Sequence, residues 1–121
     1  MNKLLVAGVL AISTCCNYAQ TEIKAWSRLI GAAREDFGVG VAVDPSGNVF
    51  FGGPTQSSLG GQSAGVFDVF VGKYDSSVNK LWLAQRGTGD IEYGWDDLHG
   101  GVAADALGNV HVVGRTKGSL D

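Results

Sequence analysis

Residues 40–59 read GVAVDPSGNVFFGGPTQSSL, and residues 101–120 read GVAADALGNVHVVGRTKGSL. Aligned without a gap, the two stretches agree at 11 of 20 positions, among them Gly40, Val41, Asp44, Gly47, Asn48, Val49, Gly53 and Thr55. Self-similarity of this density marks a repeat architecture, in which each unit buries its apolar surface against the next. A weaker echo precedes it: Trp26, Gly31, Phe37 and Gly38 correspond to Trp82, Gly87, Tyr93 and Gly94. The first echo has an offset of 61 residues and the second an offset of 56, so the second copy carries a five-residue insertion around Trp95, Asp96, Asp97, Leu98 and His99.

Within each copy the apolar spacing is that of strands. The run at 40–44 ends in Asp44-Pro45-Ser46-Gly47-Asn48, which has the chemistry of a hairpin turn. Pro45 presets φ, Gly47 can take the left-handed conformation, and the Asp44 carboxylate can accept from backbone N–H groups just downstream. The second copy keeps Asp105, Gly108 and Asn109 but has Ala106 in place of Pro45, so the turn depends on the Asp and the Gly more than on the Pro. Strands are predicted at 40–44, 49–53, 67–74 and 80–85. In the third of these, Phe67, Val69 and Val71 face one way and Phe70 and Tyr74 the other, which predicts a sheet covered on both sides. The fold expected is all-β, with β-propeller blades of four antiparallel strands stacked face to face. The repeat region, 21–121, would hold the last strand of one blade, one full blade at about 38–87, and the first half of the next. Closure takes at least about four blades, so the expectation is an incomplete propeller and a fragment of a longer protein. If the chain is complete as given, its open edges predict self-association.

Three separated motifs carry a family resemblance: Gly40 to Asp44 with Gly47, Asn48, Val49, Gly53 and Thr55; Asp68, Phe70, Val71, Lys73 and Asp75; and Leu81 with Trp82. In this order they resemble the SBBP-type β-propeller repeat over nearly all of residues 23–121. The resemblance implies a multi-bladed propeller of exported or cell-surface proteins. It implies no shared catalytic residue. Ala104 in place of a strand Val, His111 at an aromatic strand position, and the insertion depart from the pattern.

Composition narrows the function. Hydrophobic residues make up 45% and charged residues 17% of the chain, a balance that favours a packed core over disorder. A net charge of −3 without a basic cluster gives no electrostatic footprint for nucleic acid or for an anionic membrane. Residues 1–20 read as a signal peptide: Lys3, then an apolar stretch at 4–12, then small and polar residues with cleavage after Ala19. Asn17 at the −3 position is not the preferred small residue, so the cleavage point is open. The alternative is an apolar N-terminal strand of the fold. Both cysteines, Cys15 and Cys16, lie in this leader, and its removal would leave no thiol chemistry. A loose lipobox at 12–15 offers a lipid anchor at Cys15 or Cys16 as an alternative to a secreted or cell-surface chain.

Few residues offer chemistry. Gly61-Gln62-Ser63-Ala64-Gly65 matches a hydrolase elbow in letters but leads into a strand rather than a helix, so it reads as a loop. Asp90, Glu92, Asp96 and Asp97 with His99 form the densest polar group; its spacing fits no EF-hand, and a solvated loop is the simpler reading of it than Ca²⁺ binding. Trp95, unmatched in the repeat, could stack on a sugar or anchor a protein together with Asp96, Asp97 and His99. His111 reads as a half-buried strand residue, and Trp26 and Trp82 read as blade packing. The expected function is an exported, non-enzymatic scaffold or recognition surface without a cofactor, contacting a glycan or protein through loops 55–66 and 88–100. The alternative is part of an extracellular carbohydrate-active enzyme whose catalytic residues lie largely outside this chain.

Overall fold

In the computed structural model, which describes residues 4–10, 24–88 and 101–114, the full repeat forms a four-stranded antiparallel meander. Its strands are β3 (Gly40–Val43), β4 (Val49–Thr55), β5 (Asp68–Tyr74) and β6 (Lys80–Arg86), paired in chain order. Before it lie β1 (Leu4–Leu10) and β2 (Lys24–Ile30), and after it a hairpin of β7 (Gly101–Ala104) and β8 (Val110–Val113). Among the described residues there is no helix. The three sheets do not close on one another, so the all-β architecture is that of an incomplete propeller.

β4 runs two residues past the predicted end at Gly53, through Pro54 to Thr55. Proline supplies no N–H to a ladder. It is accommodated because the irregular segment ahead of β3 pairs with this end of β4: the Phe37 amide donates to the Pro54 carbonyl at 3.0 Å and the Val39 amide to the Gly52 carbonyl at 3.0 Å. Asp36 closes the same edge in an isolated bridge to Thr55.

The pairing register divides the blade into two faces. Phe51, Phe70, Tyr74 and Leu83 share one, where β2 covers them with Ile30 and Trp26. The Trp26 and Tyr74 rings lie 6.4 Å apart, and those of Phe51 and Tyr74 5.5 Å. On the other face Phe50 is fully buried beneath Trp82, at 6.3 Å between rings, and the Lys73 ammonium sits 4.7 Å above the Phe50 ring. Here β7 covers β3 and β4. Coverage of this face is therefore partial, and Val69 and Trp82 remain exposed.

Close approach of β7 depends on two glycines. A Cβ on Gly40 would stand 2.8 Å from the Val102 amide nitrogen, and one on Gly52 would stand 3.3 Å from Val102 Cγ2. Any side chain at position 40 would therefore displace the neighbouring sheet.

β1 pairs with β2 so that Leu4 faces Ile30 and Gly8 faces Trp26. In the blade, Val69 faces Arg86 and Lys73 faces Trp82. Because Ile30 and Trp26 correspond to Arg86 and Trp82 at the offset of 56, β1 stands beside β2 in the register in which β5 stands beside β6. The apolar stretch read as part of a leader thus takes the place of a third blade strand.

Candidate functional site

The meander sends its connections to two ends of the sheet, and the two ends differ in kind. At one end lie the β3–β4 and β5–β6 turns, both short. Asp44 accepts from the amides of Ser46 (3.0 Å) and Asn48 (2.9 Å) through Oδ1, and from the Asn48 side-chain amide through Oδ2 at 2.7 Å. Asp105 binds Leu107 and Asn109 in the same way in the β7–β8 turn. Gly47 and Gly108 supply φ of 80° and 82°. A third turn of this build, which the sequence reading did not identify, lies at 75–79: Asp75 Oδ1 accepts from Ser77 and Asn79, and Oδ2 from the Asn79 side chain. The left-handed position there is held by Val78, at φ 70°. A β-branched residue in that region carries strain of about 1–2 kcal/mol, offset by the packing of Val78 against the Phe51–Phe70–Tyr74 cluster.

All three aspartates are held below the ordinary Asp value of 3.8, first of all by the side-chain amide of the partner asparagine. A carboxyl with a depressed folded value contributes stability above its unfolded value and loses it as pH falls through the folded one. Asp75→Asn is therefore expected to melt below the unmodified chain at neutral pH, with the gap closing as pH drops below 3.8. Parallel thermal melts at several pH values check this.

At the other end, loop 56–67 leaves β4 and returns to β5, and the chain leaves β6 toward the 88–100 segment. A buried polar seam anchors this end. Thr55, fully buried, donates its hydroxyl to Asp36, and its Oγ1 accepts the Ser57 amide at 3.0 Å. Gln85 binds three backbone groups of the loop: its Oε1 accepts from Leu59 and Gly60, and its Nε2 donates to the Ser57 carbonyl. That Nε2 also reaches Asp68 Oδ2 at 2.6 Å. Asp68 Oδ1 has no hydrogen-bond partner; it fills the space beside the Gly87 Cα where a Cβ would stand, a position suited to a weak Cα–H···O contact. Three members of the seam, Thr55, Asp68 and Gln85, lie near strand ends on one face of the sheet, while Asp36 joins it from the irregular segment ahead of β3.

Trp95, Asp96, Asp97 and His99 lie outside the described residues, as do Asp90 and Glu92. Ser63, the centre of the hydrolase-like motif, donates its hydroxyl to the Gly65 carbonyl at 3.2 Å within a loop that leads into β5. His111, expected to be half-buried, is exposed on β8, and its ring lies 3.8 Å from the Asp105 carboxylate. Among the described residues no cluster of three or more His, Cys, Asp or Glu side chains is arranged to hold a metal ion, and no helix is long and apolar enough to cross a membrane.

Comparison with known proteins agrees with this geometry. A family model for the SBBP β-propeller repeat matches residues 25–61, the span from β2 through β4 into the anchored loop. No curated protein matches the chain. Residues 25–61 cover the fourth strand of one blade and the first two of the next, the junction at which Trp26 and Ile30 pack on Phe51 and Tyr74. Over residues 25–61 the chain is thus similar to the SBBP β-propeller repeat.

Proposed function

We propose that this chain is an exported, non-enzymatic recognition segment whose contact surface is the blade end formed by loop 56–67 and the 88–100 segment. The observation that supports the reading most is the asymmetry of the blade. Short aspartate turns close one end, while loop 56–67 emerges at the other, where the chain also leaves β6. Binding residues concentrate on loops held by a rigid scaffold, and the Gln85–Asp68–Thr55 seam provides such support here. Trp95, with Asp96, Asp97 and His99 beside it, has the composition of a sugar-stacking or protein-anchoring site. Export is supported by Lys3, the apolar stretch that follows and Ala19; cleavage there would remove β1 and leave β2 alone against the blade.

The test is expression with the native N-terminus, mass measurement of the chain recovered outside the cell, and application of that chain to a glycan array. The expected chain begins at Gln20 and retains one class of glycan, with binding lost on Trp95→Ala and no sugar released. Recovery of an exported chain that still contains residues 4–10 would overturn the leader. Release of cleaved sugar would replace the recognition reading with an enzymatic one.

A further inference from the structure

We propose that loop 56–67 presents a preset row of main-chain acceptors to the hydroxyl groups of a neutral glycan, an inference that rests on the recognition reading above. Three amides of the loop are tied to the anchoring seam. Leu59 and Gly60 donate to Gln85 Oε1 at 2.8 and 3.0 Å, and Ala64 donates to Asp68 Oδ2 at 3.0 Å. In a planar trans peptide the carbonyl points opposite to the amide of the next residue. The carbonyls of Ser58, Leu59 and Ser63 are therefore turned away from Gln85 and Asp68. None of these three oxygens accepts a hydrogen bond from a described residue. The Ser63 amide donates to Ser58 Oγ at 3.2 Å, which draws the two stretches together.

Two glycines keep this face bare. A Cβ on Gly60 would lie 2.9 Å from Leu83 Cγ, and one on Gly61 would lie 3.4 Å from Gln85 Cβ. Both Cα atoms thus turn their side-chain direction toward β6 and leave only main chain outward. Ser58, Gly61, Gln62 and Ala64 are solvent-exposed, and residues 56–67 include no charged side chain. Acceptors without charge select for donors. A carboxylate or sulfate has no donor to offer, and a polypeptide backbone has one N–H per residue. Adjacent hydroxyls of a sugar ring offer donors in pairs, and they also accept. The accepting side has its own match: the Ser57 carbonyl is turned inward to Gln85 Nε2 at 2.8 Å, which leaves the Ser58 amide pointing out. Gln85 and Asp68 act here as positioning residues, holding the peptide planes that a sugar would touch.

The test applies the exported chain to immobilised neutral and acidic oligosaccharides, then compares the retained neutral glycan with its deoxy and deoxyfluoro analogues. Fluorine keeps some capacity to accept a hydrogen bond but cannot donate one. Both analogues are expected to bind about tenfold more weakly at a contacted hydroxyl. Gln85→Ala frees the Leu59 and Gly60 amides and is expected to lose the discrimination between parent and deoxy glycan. A merely structural role would weaken both glycans equally. Hydrogen exchange is expected to show Leu59 and Gly60 unprotected in that variant while the β4–β5 ladder keeps its protection. Should the variant fail to fold, the analogue series on the unmodified chain decides alone. Retention of acidic glycans only, a fluoro analogue that binds as tightly as the parent, or discrimination retained in folded Gln85→Ala would overturn the proposal. Binding that depends on Trp95 but not on Gln85 overturns this inference and leaves the recognition reading standing. Binding that depends on Gln85 but not on Trp95 supports the acceptor row and removes Trp95 from that reading, and retention of no glycan overturns both.

Discussion

Phe70→Ala is expected to lower the unfolding free energy by about 3–5 kcal/mol, the range for truncating a buried Phe when the surroundings relax only in part. Phe70 is fully buried at the centre of β5, its ring 6.2 Å from that of Phe51, in the cluster that joins the blade to Ile30 and Trp26. The loss therefore falls on the blade and on its attachment to β2. Domains have about 5–15 kcal/mol in total, so the variant is expected to sit at the margin of folding. Urea titration checks this through the midpoint, with an unchanged slope if the unfolded state is not altered. Val69→Ala, one position away on the half-covered face, serves as the comparison and is expected to cost under about 1 kcal/mol.

The second large effect comes from adding atoms. A Cβ on Gly53 would stand against the Phe37 carbonyl, and within 3.3 Å of the Val39 amide nitrogen. Both are backbone atoms, held in place by the Phe37–Pro54 and Val39–Gly52 hydrogen bonds. No rotamer change can make room. Gly53→Ala is expected to cost about 3 kcal/mol, at the upper end of overpacking, and to release the 36–39 segment from β4. Hydrogen exchange would locate the damage, with protection lost at the Phe37 and Val39 amides before the β5–β6 ladder. Protection retained at those two amides would mean that the edge can shift to accommodate a methyl group.

These two positions also mark how far the sequence could be read. Gly53 recurs in the repeat, but its neighbour, Phe37, comes from an irregular segment with no periodicity to reveal it. Phe70 and Tyr74 were legible as one face of a strand because alternation fixes sidedness. The partial cover on the opposite face was not, because it depends on β7 reaching over β3 and β4 but not over β5 and β6. The turns at Asp44 and Asp105 carry their signature in five residues each. The one at Asp75 was hidden because Val78 stands where the signature has glycine, and only tertiary packing makes that exchange tolerable. At the loop end, the anchoring seam joins residues that are far apart in the chain, such as Gln85 with Ser57 at 2.8 Å, and local pattern does not encode such pairs. The SBBP resemblance, read over nearly all of residues 23–121, has a family-model match over residues 25–61, where its motifs are spaced along the strands themselves.

The meander β3-β4-β5-β6 pairs each strand only with its neighbours along the chain. Contacts that are local in sequence have a small loop-closure cost, and folding is fast where they dominate. By that measure the short turns around Asp44 and Asp75 close at less cost than loop 56–67. Gly40 and Gly52, which receive Val102, face each other inside the Asp44 hairpin, so the seat for the second repeat comes from a single local closure.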